Sequence, residues 1–310
     1  MTDDTAEVAV VGSYNVGLTM TVPRFPVVGE TVIGSGFAEG PGGKGSNQAI
    51  AAARLGAETS FIGNIGTDRY GDDAVGLWES EQVDATNVRR SDDSHTGVGF
   101  VIVDEDGENE ITVAPGANDA LDPAMIRSAR LAIEGSDCLL AQLEVPDEPL
   151  EAAADIAAGA DVPLILNPAP ARKLSASLLG NVTYLTPNES EALILTGRNP
   201  DADVDHEDLA RELLGLGVDT VVMTRGASGG LLVTAEELTA IDAPAVPVTD
   251  TTGAGDAFNG ALAVALGEGM AIEEAVRFAC RAGALAVTEA EVIPGLPSRE
   301  AVDTMAEDTS

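Results

Sequence analysis

Short segments rich in Val, Ile, Leu and Thr alternate with segments of helical periodicity along most of this 310-residue chain. Strands are predicted at residues 7–11, 59–62, 137–140, 162–166, 182–185 and 220–223. Helices are predicted between them at 46–55, 72–82, 150–158, 189–195 and 209–214. This alternation predicts an α/β fold with a mostly parallel sheet that is covered on both faces. In such sheets, ligands bind outside the carboxyl ends of the strands.

Two segments interrupt the alternation. Residues 19–37 and 97–113 are rich in Val, Ile, Thr and Gly and lack helical periodicity. The second predicts a hairpin, with strands at 98–103 and 110–113 joined by a turn at 104–107. Together the two segments predict a small β-sheet that projects from the main body as a candidate lid. The small, polar end of the chain, residues 303–310, is expected to fray.

Residues 250–260, with the sequence DTTGAGDAFNG, hold the most informative motif. Asp256 follows a Gly-Ala-Gly turn where a long apolar run begins a predicted helix. Small residues at a helix start let backbone amides converge on an anion, and the helix dipole favours negative charge there. A carboxylate beside such an anion site suits the transfer of a phosphoryl group to an alcohol. An ordinary helix with an acidic first turn would show the same pattern.

A second glycine-rich segment, residues 40–49, also opens a predicted helix. It is not a P-loop, because Gly45 rather than Ser or Thr follows Lys44, and no Gly stands five residues before Gly43. As a glycine turn it presents backbone amides, Lys44 and Asn47 to one ligand. A plain helix N-terminus is the alternative interpretation.

Polar residues follow several predicted strands at their carboxyl ends. Asn15 faces the ligand edge by topology, and Glu144 is suited to binding hydroxyl groups or to entering the helix after Pro146. The turn at 167–172 carries one cation, Arg172. Asn188 and Glu191 have the spacing of a capping box, although the same pair could position magnesium-bound phosphates through water. The glycine-rich hairpin at 224–230 is able to wrap a nucleotide.

The formal charge is −36, from 16 Lys and Arg against 52 Asp and Glu. Such a surface repels nucleic acids and anionic membranes, so neither is an expected partner. Because charge repulsion is screened over only ~3 Å at ~1 M salt, the composition indicates a halophilic protein of a salt-filled cytoplasm. Residues 1–4 lack the basic and apolar regions of an export signal. The apolar stretches are too short to span a membrane.

Other catalytic classes lack their signatures. Cys138 and Cys280 lie far apart in apolar contexts and are interpreted as buried thiols. His95 and His206 stand in acidic, polar surroundings without the spacing of metal ligands and are interpreted as solvated loop residues. No Gly-x-Ser-x-Gly elbow is present, which argues against an α/β-hydrolase. The segment after the first strand is not a G-x-G-x-x-G fingerprint, which leaves a nicotinamide dehydrogenase only a weak alternative.

With these segments in this order, the chain resembles the ribokinase group of the phosphofructokinase-B sugar kinases, from about residue 8 to 297. Two separated signatures (42–49 and 250–260) and the collinear segments 97–118, 167–172 and 186–191 carry the resemblance. It implies one domain over residues 1–310 with a nine-stranded, doubly wound core. The lid, about 14–40 and 97–115, commonly forms a homodimer interface in this family.

The resemblance also implies roles for individual residues. Asp256 matches the base that takes the proton of the sugar hydroxyl, and Gly253, Ala254 and Gly255 match the anion hole for the γ-phosphoryl group. Sugar-binding positions are matched by Asn15, Gly43, Lys44, Asn47 and Glu144. ATP-binding positions are matched by Asn188, Thr224, Arg225, Gly226, Ala227, Ser228, Gly229 and Gly255. Glu191 matches an acid associated with Mg²⁺, and Asp250 and Thr252 match part of a monovalent-cation loop for K⁺.

Three positions depart from the family pattern. Gly17 replaces an aspartate that grips sugar hydroxyls, a charged hydrogen bond worth ~1.5–3 kcal/mol. Glu291 and Val292 replace a Gly-Ala pair beside the cation loop, and Arg225 replaces an apolar residue. The expected activity is ATP-dependent phosphorylation of the primary hydroxyl of a pentose, with ribose first. The alternatives are a kinase for ribose 1-phosphate or a nucleoside, and a regulator that binds sugar or nucleotide without catalysis.

Overall fold

The computed structural model describes residues 5–308, so the predicted absence of an export signal at residues 1–4 lies outside it. The strands, in chain order, are β1 (Glu7–Val11), β2 (Asn15–Thr21), β3 (Gly36–Gly42), β4 (Glu58–Gly66), β5 (Val83–Asp84), β6 (Val88–Ser91), β7 (Gly97–Val103), β8 (Asn109–Ala114), β9 (Cys138–Gln142), β10 (Leu164–Asn167), β11 (Tyr184–Leu185), β12 (Thr220–Thr224), β13 (Gly230–Val233) and β14 (Leu238–Ile241).

Helices connect most of these strands. They are α1 (Lys44–Arg54), α2 (Arg69–Ser80), α3 (Pro123–Ser128), α4 (Arg130–Glu134), α5 (Asp147–Gly159), α6 (Ala176–Leu179), α7 (Glu189–Leu195), α8 (His206–Leu214), α9 (Ala254–Gly267), α10 (Ile272–Ala286), α11 (Val292–Gly295) and α12 (Arg299–Asp308). Each of the strands and helices predicted from the sequence is present, with shifted ends in most cases.

The main sheet has the strand order β14-β13-β12-β11-β10-β9-β1-β4-β5, and β6 pairs with β4 as a tenth strand. From β12 to β5 the neighbouring strands are parallel, whereas β13 and β14 add an antiparallel edge. The resemblance predicted nine strands, and the hydrogen-bonded path contains nine with β6 beside it. The predicted mostly parallel α/β fold is confirmed.

Successive residues of β1 enter two different hydrophobic cores. Val8 and Val10 pack with α1, α9 and α10 on one face of the sheet. Ala9 and Val11 pack with α5 and α8 on the other face. Because side chains alternate across a strand, a strand buried on both faces is apolar throughout. This explains why the strands of the main sheet are continuous apolar runs.

A second, four-stranded sheet has the order β3-β2-β7-β8. The predicted hairpin is confirmed, since β7 and β8 pair antiparallel from Val98 opposite Ala114 to Val103 opposite Asn109. Strands β2 and β3 pair antiparallel, and β2 and β7 pair parallel. Strands β2, β7 and β8 fall within the segments predicted as the lid, 14–40 and 97–115, and β3 runs two residues past the first of them, to Gly42. This assembly is called the small sheet below.

Two local expectations were wrong. The end of the chain does not fray from residue 303, because α12 continues to Asp308. His206 is not a loop residue: it begins α8 after the N-cap Asp205, and its Nε2 lies 3.2 Å from Glu189 Oε1. Within residues 5–308, no helix combines the length and the apolarity that a membrane-spanning segment needs.

Candidate active site

The carboxyl ends of β1, β9, β10 and β11 meet at one edge of the main sheet, and α1 and α9 both begin there. Each of these helices starts after a glycine with positive φ, Gly43 at 90° and Gly253 at 83°. At Gly43 a Cβ atom would lie 2.7 Å from both Tyr14 Cα and Asn15 N. Only glycine tolerates both this backbone conformation and this close approach. The start of α1 is therefore held directly against the turn after β1.

Asp256 lies in the first turn of α9, and only 6% of its surface is exposed. Its Oδ2 accepts a hydrogen bond of 2.8 Å from Asn47 Nδ2, and its Oδ1 accepts one of 2.9 Å from Gln48 Nε2. Two amide donors from α1 thus fix the orientation of the carboxylate. The predicted pairing of the base with Asn47 in one site is present in the structure.

The carbonyl oxygen of the Asn47 side chain is buried and lacks a hydrogen-bond partner among residues 5–308. A buried acceptor without a donor costs about 1–3 kcal/mol. A hydroxyl group of a ligand placed beside Asp256 would supply that donor. The orphaned oxygen therefore indicates a site that is completed by a polar ligand.

Glu144 follows β9 and accepts hydrogen bonds from the turn after β1, from the start of β2 and from the start of α1. Its Oε2 accepts from the hydroxyl of Ser13, from Lys44 N at 2.9 Å and from Asn15 Nδ2 at 3.3 Å. Asn118 in turn holds Asn15, donating from Nδ2 to Asn15 Oδ1 at 3.0 Å. Of the residues predicted to bind sugar, Asn15, Lys44 and Glu144 are therefore connected by hydrogen bonds, whereas the Asn47 side chain donates to Asp256.

A cavity of about 500 Å³ opens beside Glu144. The small sheet contributes Val113 to its wall, and the turns after β9 and β10 contribute most of the rest. The lining residues are Asn15, Val113, Pro115, Asp119, Leu143, Glu144, Val145, Pro146, Asp147, Pro170 and Arg172. The cavity thus combines apolar side chains with several carboxylates, a composition suited to a neutral ligand with many hydroxyl groups.

The ammonium group of Lys44 interacts with the carboxylates of the site. Burial lowers the pKa of its ammonium group, but the carboxylates of Asp256, Glu144 and Glu191 raise it by more, so the net shift is upward. Lys44 consequently stays protonated at neutral pH. A fixed positive charge at this position compensates the three carboxylates and favours an incoming anion.

Asn188 and Glu191 form the predicted capping box at the start of α7: Asn188 Oδ1 accepts from Glu191 N, and Glu191 Oε2 accepts from Asn188 N. Burial raises the pKa of Glu191, although the hydrogen bond from Asn188 N and the charge of Lys44 partly oppose the shift. Glu191 is half-buried and its carboxylate interacts with the charge of Lys44, so it does more than cap the helix. Its carboxylate has the oxygen chemistry that Mg²⁺ prefers, so the position fits that ion.

The hairpin between β12 and β13 is adjacent to this cap, because Asn188 forms a bridge with Thr224. Gly226, Ala227 and Ser228 form an exposed helical turn that ends at Gly229. Arg225 Nη2 donates to the carbonyl oxygens of Ser228 and Gly230 at 3.0 and 3.3 Å. Arg225 therefore braces its own loop, and among the described residues no ion pair with a surface acid is formed.

The first turn of α9 combines a crowded position and an open one. A Cβ atom on Gly253 would lie 2.7 Å from Val292 Cγ1, whereas one on Gly255 would meet nothing within 4 Å. The first amides of a helix have no partner within the helix. The predicted anion hole at Gly253, Ala254 and Gly255 is therefore accessible from the side of Gly255.

Asp250 accepts hydrogen bonds from its own loop and from the loop at Glu291. Its Oδ1 accepts from Thr252 N and Oγ1, and its Oδ2 accepts from Glu291 N at 3.2 Å. The bond from Thr252 N is the main cause of its lowered pKa. Glu291 has φ 67° and ψ 153°, a region essentially reserved for glycine. The departure from a Gly-Ala pair is thus accommodated by a strained backbone. Asp250 therefore stays ionised at neutral pH.

Cys138 and Cys280 are buried free thiols, as predicted. Burial raises the pKa of both, that of Cys280 to about 11. They are therefore protonated and unreactive at neutral pH. No cluster of three or more potential metal-binding side chains is found in the described part of the chain.

Several residues of the site had no predicted role. Gln48 donates to Asp256 and to Asn167 Oδ1, and accepts from Gln142 Nε2 at 2.6 Å. Two more members, Thr186 and Asn259, extend this buried chain of hydrogen bonds to Gly255 O. The one available signal was that polar Gln48 and Asn47 precede an alanine-rich run that the helix buries. Ser13, Asn118 and Arg172 carried no signal of their site contacts.

Residues 5–299 match the pfkB family of carbohydrate kinases. The chain belongs to this family. It is 40% identical to the ribokinase of Haemophilus influenzae, covering 94% of this chain and 95% of that one. It is 39% identical to the ribokinase of Bacillus subtilis (96% and 98%) and 32% identical to the deoxyribokinase of Salmonella typhi (95% and 96%).

Solved structures agree with this assignment. The ribokinase of Arabidopsis thaliana, complexed with ribose and ATP, has a TM-score of 0.92 at 32% identity and covers 97% of this chain and 99% of its own. The ribokinase of Thermotoga maritima has a TM-score of 0.89 at 35% identity, with 97% and 99% covered. The predicted ribokinase-like fold is confirmed. Like other members of its family, the chain is a phosphotransferase with a sugar hydroxyl as acceptor.

Proposed function

We propose that this protein is a ribokinase, which transfers the γ-phosphoryl group of ATP to the primary hydroxyl of ribose. The observation that carries the proposal is the placement of Asp256, a buried carboxylate at the start of α9 that is oriented by Asn47 and Gln48. Its neighbour Lys44 connects it with Glu144 and the cavity. Relatives with 35–40% identity over nearly the whole chain carry the same activity in their names.

In this proposal the cavity beside Glu144 holds the sugar. Glu144 and Asn15 bind hydroxyl groups of the sugar. A further sugar hydroxyl donates to Asn47 Oδ1, which has no other donor among residues 5–308. The reacting hydroxyl is directed at Asp256. Positioning of this kind contributes strongly to phosphoryl transfer, because the reacting atoms must be in line.

Asp256 acts as the general base and takes the proton of the attacking hydroxyl, a contribution of roughly 10²–10⁴ in rate. The amides of Gly253, Ala254 and Gly255 stabilise the negative charge of the phosphoryl group, each worth about 10²–10³. Lys44 adds a fixed positive charge between the two substrates. Each of these groups is in place before the reaction, so little reorganisation is required.

ATP is assigned to the opposite side of Lys44. Asn188 and residues Thr224 to Gly229 hold the nucleotide, and Gly255 approaches its γ-phosphate. Glu191 would hold Mg²⁺, which would neutralise phosphate charge when bound. Asp250 and Thr252, close to the strained Glu291, would hold a monovalent cation such as K⁺.

The small sheet is proposed as the lid, which excludes water and limits hydrolysis of ATP. Its exposed apolar side chains lie on both faces, with Phe37 (63% exposed) on one face and Ile111 (62% exposed) on the other, the face of Val113. Exposed apolar side chains of this size support a homodimer through the lid. The net charge of −36 supports a requirement for high salt, and the buried free thiols support a cytoplasmic location.

Kinases for ribose 1-phosphate or a nucleoside are the nearest rivals, since Gly17 leaves space where the family has an aspartate. A Cβ atom there would meet only Gly40 O, at 3.7 Å. The carboxylates of Glu144, Asp119 and Asp147 on the cavity wall oppose an additional phosphate. We therefore favour the uncharged sugar.

ADP release with a panel of acceptors tests the proposal. The panel contains ribose, 2-deoxyribose, ribose 1-phosphate and adenosine, measured in ~2 M KCl and again in NaCl of equal ionic strength. We expect the highest kcat/KM with ribose and a higher rate in KCl. A higher kcat/KM with ribose 1-phosphate or adenosine would replace ribose as the substrate, and nucleotide binding without turnover on any acceptor would indicate a regulator.

A further inference from the structure

We propose that Arg172 is a positioning residue that holds Glu144 in its place in the sugar site. This inference rests on the proposed sugar kinase activity and adds to it a residue with no assigned role. Arg172 follows β10, in the turn 167–172, and Glu144 follows the neighbouring strand β9. The connection between these two turns is the basis of the inference.

The guanidinium group of Arg172 binds the backbone on both sides of Glu144. Its Nη1 donates to the carbonyl oxygen of Leu143, and its Nη2 donates to that of Val145 at 2.8 Å. Nε and Nη2 also donate to Asp147 Oδ1, at 3.0 and 2.7 Å. One side chain thereby fixes three points within five residues of chain. The rigid planar fork of arginine is suited to such a multiple contact.

The backbone at Glu144 has little other support. It forms a bend between the end of β9 and the start of α5, and Pro146 has no N–H to donate. Leu143 N is joined to the neighbouring turn by a bond of 3.0 Å to Ala169 O. The Glu144 carboxylate accepts hydrogen bonds from Ser13, Asn15 and Lys44, all through the single atom Oε2. A small backbone shift would weaken all three bonds together.

Direct recognition of a ligand is a less suitable role for Arg172. Its donors are used by two carbonyl groups and by Asp147, and the Asp147 carboxylate balances its charge. In a protein with 52 acidic and 16 basic residues, a cation on the cavity wall would otherwise be an obvious anion site. The geometry therefore assigns the arginine to the backbone beneath Glu144 and leaves the cavity to a neutral sugar.

Arg172→Met is the test variant, compared with Arg172→Lys and with the control Arg299→Met. Arg299 has nearly the same exposed side-chain fraction as Arg172, 35% against 34%, and it joins the Leu55 carbonyl to Glu268 and Asp303 far from the site. Arg172→Lys retains the charge but cannot span both carbonyl groups.

The readouts are KM for ribose, KM for ATP, kcat and the dissociation constant of ribose. The last is followed through the fluorescence of Trp78, the single tryptophan, whose Nε1 donates to Ser46 at the start of α1. For Arg172→Met we expect ribose KM and dissociation constant to rise ~10- to 100-fold, with KM for ATP within ~2-fold. Arg172→Lys should show a smaller rise of the same kind. Arg299→Met should stay within ~3-fold of the wild type.

Equal changes in both KM values, or a lower melting temperature with unchanged ribose binding in Arg172→Met and Arg172→Lys, would overturn the inference. Should Arg172→Met not fold, Arg172→Lys decides by the same comparison. Wild-type protein that fails to phosphorylate ribose contradicts the proposed function instead. The two failures are thereby distinguished, because the variants are assayed only after the wild-type protein has turned over ribose.

Discussion

Asn47 Nδ2 donates a hydrogen bond of 2.8 Å to Asp256 Oδ2 across a sequence separation of 209 residues. The first residue lies in the first turn of α1 and the second in the first turn of α9. The starts of the two helices thus share one carboxylate. The two glycine-rich motifs, each ambiguous alone, form a single site because of this contact.

Asp256→Asn should abolish phosphoryl transfer while leaving substrate binding in place. The amide has nearly the same shape but cannot accept the proton of the attacking hydroxyl, so kcat should fall ~10²–10⁴-fold. Dissociation constants for ATP and ribose, measured by calorimetry, should change by less than ~5-fold. Turnover near the wild-type rate would remove Asp256 as the base.

Gln48→Leu should lower both kcat and stability. The change removes the donor to Asp256 Oδ1 and leaves Gln142 Nε2 and Asn167 Oδ1 without this partner in a buried network. Each unsatisfied buried group costs about 1–3 kcal/mol, which urea unfolding would detect as a lower midpoint. KM for ATP should be unchanged. A stability loss with normal kcat would limit Gln48 to a structural role.

Gly17→Asp should increase the affinity for ribose. The position has room for a side chain, because the nearest atom to a Cβ there is Gly40 O at 3.7 Å. A charged hydrogen bond to a sugar hydroxyl is worth ~1.5–3 kcal/mol, so ribose KM should fall about 10- to 100-fold. Gly99→Asp, on the adjacent strand β7 opposite Gly17, is the matched control. If ribose KM rises in Gly17→Asp, the glycine is needed by a larger acceptor.

Glu191→Gln separates the capping role of this residue from its proposed role with Mg²⁺. Glutamine can also complete a capping box, so α7 should keep its N-terminus. Removing the carboxylate should raise the Mg²⁺ concentration for half-maximal activity several-fold. An unchanged Mg²⁺ requirement would exclude the role with Mg²⁺ and leave Glu191 with the capping role alone.

The same variant has a pH signature. Burial raises the pKa of Glu191 above its ordinary 4.5, so the folded protein holds this proton more tightly than the unfolded chain. The associated stability is present below pH 4.5 and is lost as the pH rises through the raised value. As the pH rises between these two values, the wild type should lose stability that Glu191→Gln does not lose. The unfolding free energy of Glu191→Gln minus that of the wild type should therefore be larger at pH 7 than at pH 4. Chemical denaturation at pH 4 and pH 7 measures the difference.

Glu291→Gly should stabilise the protein. The φ of 67° and ψ of 153° at Glu291 carry a strain of order 1–3 kcal/mol, which glycine relieves. The greater freedom of glycine in the unfolded chain offsets about 0.4–1 kcal/mol. The net gain of about 1 kcal/mol should appear as a melting temperature higher by about 1–3 °C. Asp161→Gly, at φ 58° and remote from the site, shows the effect of relieving an ordinary left-handed residue.

The main sheet was predictable because strands buried on both faces leave a continuous apolar signature in the sequence. Val8 to Val11 show this directly, since alternate residues enter two different cores. The start of α9 was predictable because a Gly-Ala-Gly turn, an acidic residue and an apolar run follow one another there, and the turn begins at Gly253 with positive φ. These features depend on a few neighbouring residues, which a sequence displays in full.

The contacts of Gln48 and Arg172 were not predictable in this way. Each depends on strands and turns that are distant in sequence, Gln48 on Asp256 and Arg172 on Leu143 and Val145. The end of the chain was wrongly predicted for a similar reason: Val302 of α12 is fully buried in the core formed with α10, a contact that local polarity does not reveal.

The small sheet is joined to the active site through two neighbouring strands, β2 and β3. β2 begins at Asn15, which donates to Glu144, and β3 ends at Gly42, two residues before Lys44. We therefore expect a sugar bound at Asn15 and Lys44 to shift both strands, and with β3 its exposed residue Phe37. If two subunits pair through this sheet, substrate binding in one would change the contact that it makes with the other.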